Sequence, residues 1–358
     1  MDAVIGPRFV HRLRFTERAF EPGNAVLDEI LATAADEPGA GPRRAILVVD
    51  DGVIAAGGPG TLEAMTAGLA ARPESVDLRG EPLVVPGGEA AKRDRGVVDR
   101  VTAAIDRHGI CRRSLVLVVG GGAVLDAVGF AAATAHRGVR LVRFPSTTLA
   151  QDDAGIGVKN GINAFGKKNF IGAFAVPWAV INDRALLATQ SLRDRRSGVS
   201  EAIKVGLLKD AAFVAEIAAL APRLAEGRVD ALDPVVRRSA ELHLAHIAEG
   251  GDPFELQAAR PLDFGHWSAH RLERMTDFRL RHGEAVAIGI AIDVAYAARI
   301  GRLGRAEADG IIELLEACGL PTRHPDLTRA DELMEGLEEF REHLGGRLTI
   351  TLVETAGR

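Results

Sequence analysis

The sequence predicts an α/β domain of nucleotide-binding type followed by a mostly helical domain. Three observations carry the prediction. Short, nearly continuous apolar runs alternate with helical patterns through the first half, which marks a parallel sheet covered on both faces. Residues 114–133, SLVLVVGGGAVLDAVGFAAA, read as strand, glycine turn and helix in succession. Beyond about Asp183 the chain turns to long Ala/Leu/Glu/Arg helical patterns. The domain boundary is therefore expected near 183–195, with a cleft between the domains as the default place for a site.

Taken in order, the β-branched runs Ala45–Val49, Pro82–Val85, Ser114–Val119, Val139–Phe144 and Ala179–Ile181 are the expected strands. Helical patterns lie between them near 24–34, 59–72, 91–108 and 123–136. The second half carries helical patterns over 197–221, 231–249, 282–300, 303–317 and 328–342. A single strand-like run, Leu348–Val353, closes the chain.

Composition narrows the function classes. With 358 residues, 47% apolar and 26% charged, the chain has ample core for two domains. A net charge of −5 and the lack of any basic run argue against a nucleic-acid scaffold. Cys111 and Cys318, the only cysteines, form no metal or redox motif and fit a reducing cytoplasm. MDAVIGPRFVHRLRF lacks an apolar signal core, and no apolar run approaches the length of a membrane span.

Lysine usage points to chemistry. There are six lysines against 38 arginines, all between Lys92 and Lys209. Lys159, Lys167, Lys168 and Lys204 fall in GVKNGINAFGKKNF (157–170) and SEAIKVG (200–206), which predicts a polar, anion-handling site. Gly120, Gly121 and Gly122 let backbone approach a ligand, and the helix after them offers free N–H groups to a pyrophosphate. A structural tight turn would give the same pattern. Asp50, at the end of ILVVDD, could accept from ribose hydroxyls or cap a helix. Glu89 and Lys92 could be cofactor contacts or a plain i,i+3 surface pair.

The most specific constellation lies later. His266 and His270 in DFGHWSAHRLE share a helix face, His282 opens the next helix, and Glu201 sits in SEAIK. Imidazoles with a carboxylate suit Zn²⁺ or a related divalent ion with an open position. Any one of these histidines alone would more simply be a capping or core residue.

Taken together, PGGEAAK, GGGAVLD, FPSTTLAQDDAGIGVKNGIN, GKKNFIGAF, SEAIK, DFGHWSAH and RHGEAV resemble the 3-dehydroquinate synthase superfamily, the sugar phosphate cyclases, in order and rough spacing. The resemblance covers nearly the whole chain. It implies a Rossmann-like NAD-binding domain over 1–185 and a dehydroquinate synthase-like helical, metal- and substrate-binding domain over 186–358. It also implies a bound NAD, a catalytic Zn²⁺ (or Co²⁺) and a homodimer. By that resemblance the metal ligands are Glu201, His266 and His282. The NAD contacts are Asp50, Glu89, Lys92, Gly121, Gly122, Asp126, Ser146, Thr147, Leu149, Lys168 and Thr189. Substrate and catalytic positions are Asp153, Lys159, Asn169, Lys204 and His270, with Arg137 reaching the substrate phosphate of the partner subunit.

The chain departs from 3-dehydroquinate synthases where those recognise phosphate and carboxylate. ARPLDFGH (259–266) puts Asp263 where an asparagine is usual and shifts the arginine to Arg260. A customary lysine is missing, with His243 or His246 in its region, and His343 stands where lysine is common. These losses argue against a carboxylate-bearing substrate. GVKNGINAFGKKNF and RPLDFGHWSAH look more like a divergent cyclase branch of the type found in bacterial Ebo clusters. Sedoheptulose 7-phosphate cyclases are a looser match, because His270 and DPFE are not expected there. The implied reaction is redox-neutral, with oxidation, β-elimination of phosphate, reduction, ring opening and aldol closure. Lys159, Lys204 and Arg137 hold the phosphate, while His270 and Asp153 relay protons. A metal-dependent polyol dehydrogenase is the rival. Those enzymes typically carry a histidine four residues after the first ligand, where this chain has Val205.

Overall fold

Every residue from Leu115 to Gly120 is buried, because helices cover both faces of the sheet in which this strand lies at the centre. The computed structural model describes residues 1–3, 5–34, 41–256, 260–343 and 346–357, without the side chain of His343. The chain forms two compact units, Met1–Ser146 with Gly155–Thr189, and Thr147–Ala154 with Gln190–Arg358.

The strands of the first unit are β1 (Leu13–Thr16), β2 (Arg43–Asp50), β3 (Val76–Leu78), β4 (Leu83–Val85), β5 (Leu115–Gly120), β6 (Arg140–Pro145), β7 (Lys159–Ala164), β8 (Lys167–Phe174) and β9 (Ala179–Asp183). Its helices are α1 (Ala25–Thr33), α2 (Asp51–Gly57), α3 (Thr61–Ala70), α4 (Gly96–Arg107), α5 (Gly122–Thr134) and α6 (Arg184–Leu187). Seven parallel strands run in the order β1-β9-β6-β5-β2-β3, with β4 also paired to β2. Helices connect β1 to β2, β2 to β3, β4 to β5 and β5 to β6, whereas β3 leads directly to β4 and β6 reaches β9 through the segment that carries the β7–β8 hairpin. Leu47, Val49, Leu117, Val119 and Phe144 fill one face with Leu27, Leu31 and Leu69 from the helices.

The five expected strands are present, and three further features were not anticipated. β1 and β3 are short edge strands of four and three residues, too brief for a periodic signal. The antiparallel hairpin β7–β8 hides its alternation because its outward side chains include Phe170 and Phe174.

The second unit holds α7 (Leu192–Ser197), α8 (Val199–Lys209), α9 (Ala211–Ala225), α10 (Val229–Glu249), α11 (His266–Met275), α12 (His282–Arg299), α13 (Arg305–Ala317) and α14 (Ala330–His343). The expected helix over 197–221 breaks at Asp210, whose extended backbone ends α8 and whose carboxylate accepts the Phe213 N–H at 3.1 Å to cap α9. The run Leu348–Val353 forms no strand. Every described strand belongs to the first unit, so it has no edge to pair with here, and it packs Ile350, Leu352 and Val353 on the helical core.

Candidate active site

α11 begins at His266 and α12 at His282, and α8 carries Glu201 in its first turn. Two glycines bring these elements together. A Cβ on Gly283 would lie 1.8 Å from the Ser197 carbonyl oxygen, and one on Gly289 would lie 1.9 Å from that of Gly265. Only glycine permits these approaches. The ligand atoms of His266, His270 and His282 lie within 4.8 Å of one another. Glu201 Oε1 is 3.5 Å from both His266 Nε2 and His282 Nε2.

That set fits a divalent ion. Both Glu201 oxygens are buried; Oε1 has no hydrogen-bond partner among the described residues, while Oε2 lies against the Lys204 ammonium. The imidazole nitrogens facing Oε1 stand too far for hydrogen bonds but could converge on an ion. Their other nitrogens are anchored, His266 Nδ1 at 2.9 Å from the Phe264 carbonyl and His282 Nδ1 at 3.1 Å from Glu273 Oε2. This anchoring fixes each ring and leaves Nε2 for a metal. Asp293 accepts the Gly265 N–H at 2.8 Å and the Trp267 Nε1–H at 2.9 Å, so it pins the start of α11 on either side of His266. Burial lowers the His282 pKa, but Glu273 and Glu201 outweigh it and raise the ring to about 9.

A line of ionic contacts leads away from this centre. Lys204 Nζ is 2.5 Å from Glu201 Oε2 and 3.7 Å from Asp153 Oδ1, and Asp153 Oδ1 is 3.0 Å from His243 Nδ1. Burial works against every charge here. Lys204 with the imidazoles nevertheless holds Glu201 well below the usual carboxylate range, and Lys204 with His243 holds Asp153 at about 2. Asp153 and Glu201 in turn raise Lys204 above its ordinary value despite its burial. Beside them Asp152 is fully buried, with neither oxygen hydrogen-bonded among the described residues. Burial, then Glu201 and Asp153, push its pKa well above the usual carboxylate value, which favours the neutral form.

In the first unit the Asp50 carboxylate caps α2 through the Gly52 N–H at 2.8 Å and also accepts the Gly121 N–H at 3.3 Å. A Cβ on Gly87 would come 2.2 Å from its Oδ1. Gly121 precedes α5 and Gly122 opens it without a side-chain cap, which leaves backbone N–H groups of the kind that hold a phosphate. Glu89 and Lys92 are not a mutual surface pair. Lys92 is buried and contacts Asp126 at 2.6 Å, while Glu89 accepts from Asn163 Nδ2 at 2.6 Å and faces Lys168 at 3.8 Å. Asn169, in the left-handed region, donates its N–H to Asn163 Oδ1. Lys159 is exposed at the start of β7. The buried guanidinium of Arg143 donates to the carbonyls of Gly155 and Gly157 and to Asn160 Oδ1, bracing the segment that leads to Lys159. Ser146 donates its N–H to the Gly120 carbonyl, and Thr189 Oγ1 donates to that of Leu186. Arg137 is exposed, with φ of +62°.

The remaining positions belong to the second unit. Thr147 Oγ1 accepts the Ala150 N–H, and Leu149 is half-buried beside Gly198. Of the two candidates for the missing lysine, His243 joins the ionic line through Asp153, whereas burial lowers the pKa of His246 and no ion pair among the described residues ties it there. Asp263 lies near enough to Lys204 to raise its pKa. Arg260 Nε is buried without a hydrogen-bond partner among the described residues. The side chain of His343 lies outside the described residues. Sequence reasoning missed Glu273, Asp293 and Asp152. Glu273 was within reach, since it continues the helix face of His266 and His270 at the next turn.

Residues 82–197 match the family model for the N-terminal part of 3-dehydroquinate synthase, and 198–340 match its C-terminal part. The chain belongs to the 3-dehydroquinate synthase family. A 3-dehydroquinate synthase of Ruegeria sp. (strain TM1040) is 36% identical over 325 residues, spanning 88% of this chain and 83% of the relative. The 2-epi-5-epi-valiolone synthase ValA of Streptomyces hygroscopicus subsp. jinggangensis 5008, solved with NAD⁺ and Zn²⁺, superposes with a TM-score of 0.86. It is 28% identical, covering 100% of this chain and 93% of that one. A 2-deoxy-scyllo-inosose synthase solved with carbaglucose-6-phosphate, NAD⁺ and Co²⁺ has a TM-score of 0.74 and 20% identity, covering 97% of this chain and 90% of that one. It shares the fold of this family member.

Proposed function

We propose that the protein is an NAD- and divalent-metal-dependent sugar phosphate cyclase, a carbon–oxygen lyase acting on a phosphate ester, working as a homodimer in the cytoplasm. The observation that carries this reading is Glu201 facing His266 and His282, with Lys204 against its other oxygen. No helix among the described residues is long and apolar enough to cross a membrane. When bound, the ion supplies Lewis acidity and the dinucleotide supplies reversible hydride transfer.

The protein's own residues divide the remaining work. Glu201, His266 and His282 hold the ion, with His270 as the adjacent acid or base. Asp50, Glu89, Lys92, Gly121, Gly122, Asp126, Ser146, Thr147, Leu149, Lys168 and Thr189 hold NAD. Lys159, with Arg137 supplied by the partner subunit, binds the phosphate, while Asn169 orients the sugar. Lys204 stays protonated and stabilises oxyanions that develop beside the ion.

In the second unit Lys204 and His243 already face carboxylates, and Asp263 adds a further negative group. This supports a substrate whose end remote from the phosphate is a neutral polyol. A second reading, 3-dehydroquinate synthase proper, is favoured by the 36% identity and by the uncommitted Arg260 Nε, which could take a carboxylate. The test is phosphate release by the Zn²⁺- and NAD⁺-loaded enzyme from sedoheptulose 7-phosphate and from the seven-carbon carboxylate substrate of 3-dehydroquinate synthase. Release from the neutral sugar supports the first reading and release from the carboxylate the second. Release from no sugar phosphate, with both cofactors bound, overturns the cyclase assignment.

A further inference from the structure

We propose that Arg143 and Asn160 form a positioning pair, which holds residues 155–159 so that Lys159 meets the phosphate of the substrate. The proposal rests on the phosphate-binding role given to Lys159 in the cyclase reading above. Arg143 lies on β6 and is 0% exposed, and Asn160 lies on β7 and is 4% exposed. The guanidinium is directed wholly at one short segment. Its Nη1 donates to the carbonyls of Gly155 at 3.0 Å and Gly157 at 2.7 Å. Its Nη2 donates to Asn160 Oδ1 at 2.6 Å and, more weakly, to the Lys159 carbonyl at 3.4 Å. Asn160 Nδ2 in turn lies 3.2 Å from the Val158 carbonyl, 3.4 Å from that of Ala173 on β8 and 3.3 Å from that of Ala175 just after it.

Every carbonyl from Gly155 to Lys159 is thereby held. That of Ile156 lies 2.8 Å from His11 Nε2, and that of Val158 also accepts the Ala175 N–H at 2.8 Å. Residues 155–158 belong to no helix or strand, so side chains supply most of what a ladder would. The pair itself has little room to shift. A Cβ on Gly129 of α5 would lie 1.9 Å from Asn160 Oδ1, which packs the amide between the guanidinium and the backbone of α5.

Stability alone gives no reason for a cation at this place. Arg143 has no ion pair among the described residues, and Asp126, whose charge reaches it, is bound to Lys92. Its Nε is buried without a hydrogen-bond partner among the described residues, and burial lowers the guanidinium to about 10. A buried charge without a counter-ion costs stability that an apolar side chain would not. What the planar fork provides is direction, because it fixes several acceptors at once. Lys159 follows immediately, at the start of β7. Its backbone is set before a substrate arrives, so less freedom is lost when the ammonium grips a phosphate.

The test is the affinity of the Zn²⁺- and NAD⁺-loaded protein for inorganic phosphate, read by calorimetry in a double-mutant cycle. Lys159→Ala should weaken phosphate binding about tenfold or more. Arg143→Met removes the fork and should weaken it about tenfold, with NAD⁺ affinity kept within about twofold. Arg143→Lys keeps the charge without the fork and should be impaired to a similar degree. With Lys159→Ala already in place, Arg143→Met should weaken binding by no more than about twofold, because its effect passes through Lys159. Turnover of sedoheptulose 7-phosphate, or whichever sugar phosphate is turned over, should show the loss in KM, with kcat within about threefold of the parent. Phosphate affinity retained in Arg143→Met, full affinity in Arg143→Lys, equal losses with and without Lys159, or a loss confined to kcat overturns the proposal. Where Arg143→Met does not fold, Asn160→Ala takes its place in the cycle with the same outcomes expected. A loss in Lys159→Ala but not in Arg143→Met leaves the cyclase reading intact and sinks only the pair. Unchanged phosphate affinity in Lys159→Ala would instead end the phosphate role of Lys159, and the proposal with it.

Discussion

Zinc affinity should depend steeply on pH, and the reason lies in His282. In the metal-free protein this imidazole sits between Glu201 and Glu273, which raise it to about 9 in spite of its burial. A metal needs the neutral ring, so binding must displace one proton from His282 at neutral pH. Well below about 9 each pH unit then costs about a factor of ten, which makes affinity about fiftyfold weaker near pH 7 than near pH 9 from this ligand alone. The stability of the metal-free protein should move the opposite way. The folded pKa is raised above 6.5, so the ion-pair contribution is fully present below 6.5 and is lost as pH rises through about 9. The shift corresponds to about 3 kcal/mol at most. Chelator competition across this range, with calorimetry in buffers of different ionisation enthalpy, gives both the slope and the proton count. Glu273→Gln removes one of the two carboxylates and should flatten the dependence. Zinc affinity independent of pH, with no proton released, would refute the account of His282.

Other perturbations separate the roles of neighbouring groups. Lys204→Ala should destabilise the protein by about 3–5 kcal/mol in denaturant melts, because Glu201 and Asp153 lose their buried counter-ion, whereas exposed Lys209→Ala should stay within about 0.5 kcal/mol. Glu201→Ala should abolish stoichiometric zinc binding while NAD⁺ binding survives in calorimetry; retained zinc would show that the ligand set is wrong. Asp293, raised by burial to about 6 against its bonds to Trp267 and Gly265, should make stability fall as pH rises between about 4 and 6. Asp293→Asn should remove that fall in pH-dependent melts.

Where the sequence was legible, one residue type or one period carried the signal. Five strands announced themselves as apolar runs, four of them mostly buried, and His266, His270 and His282, which the structure brings together, as three of ten histidines within 17 residues. What stayed hidden depended on partners far along the chain. Nothing local reveals that Lys92 meets Asp126 rather than Glu89, since that contact requires the turn after β4 to face α5. Nor does Asp152 look different from Asp153 in QDDAG, yet the first has its pKa raised by burial and the second has it lowered, because Lys204 and His243 contact only the second. The run 348–353 had strand composition but no strand to join in a helical unit. Composition reports a face to be buried, and topology decides what buries it.

The central claim is a redox-neutral cyclisation, and the ratio of phosphate released to NADH accumulated tests it most directly. With Zn²⁺ and one equivalent of NAD⁺ per chain, the account predicts many phosphates released per NAD⁺ and no steady build-up of NADH. NADH accumulating in step with turnover, without phosphate release, would contradict the account and place the protein with the polyol dehydrogenases.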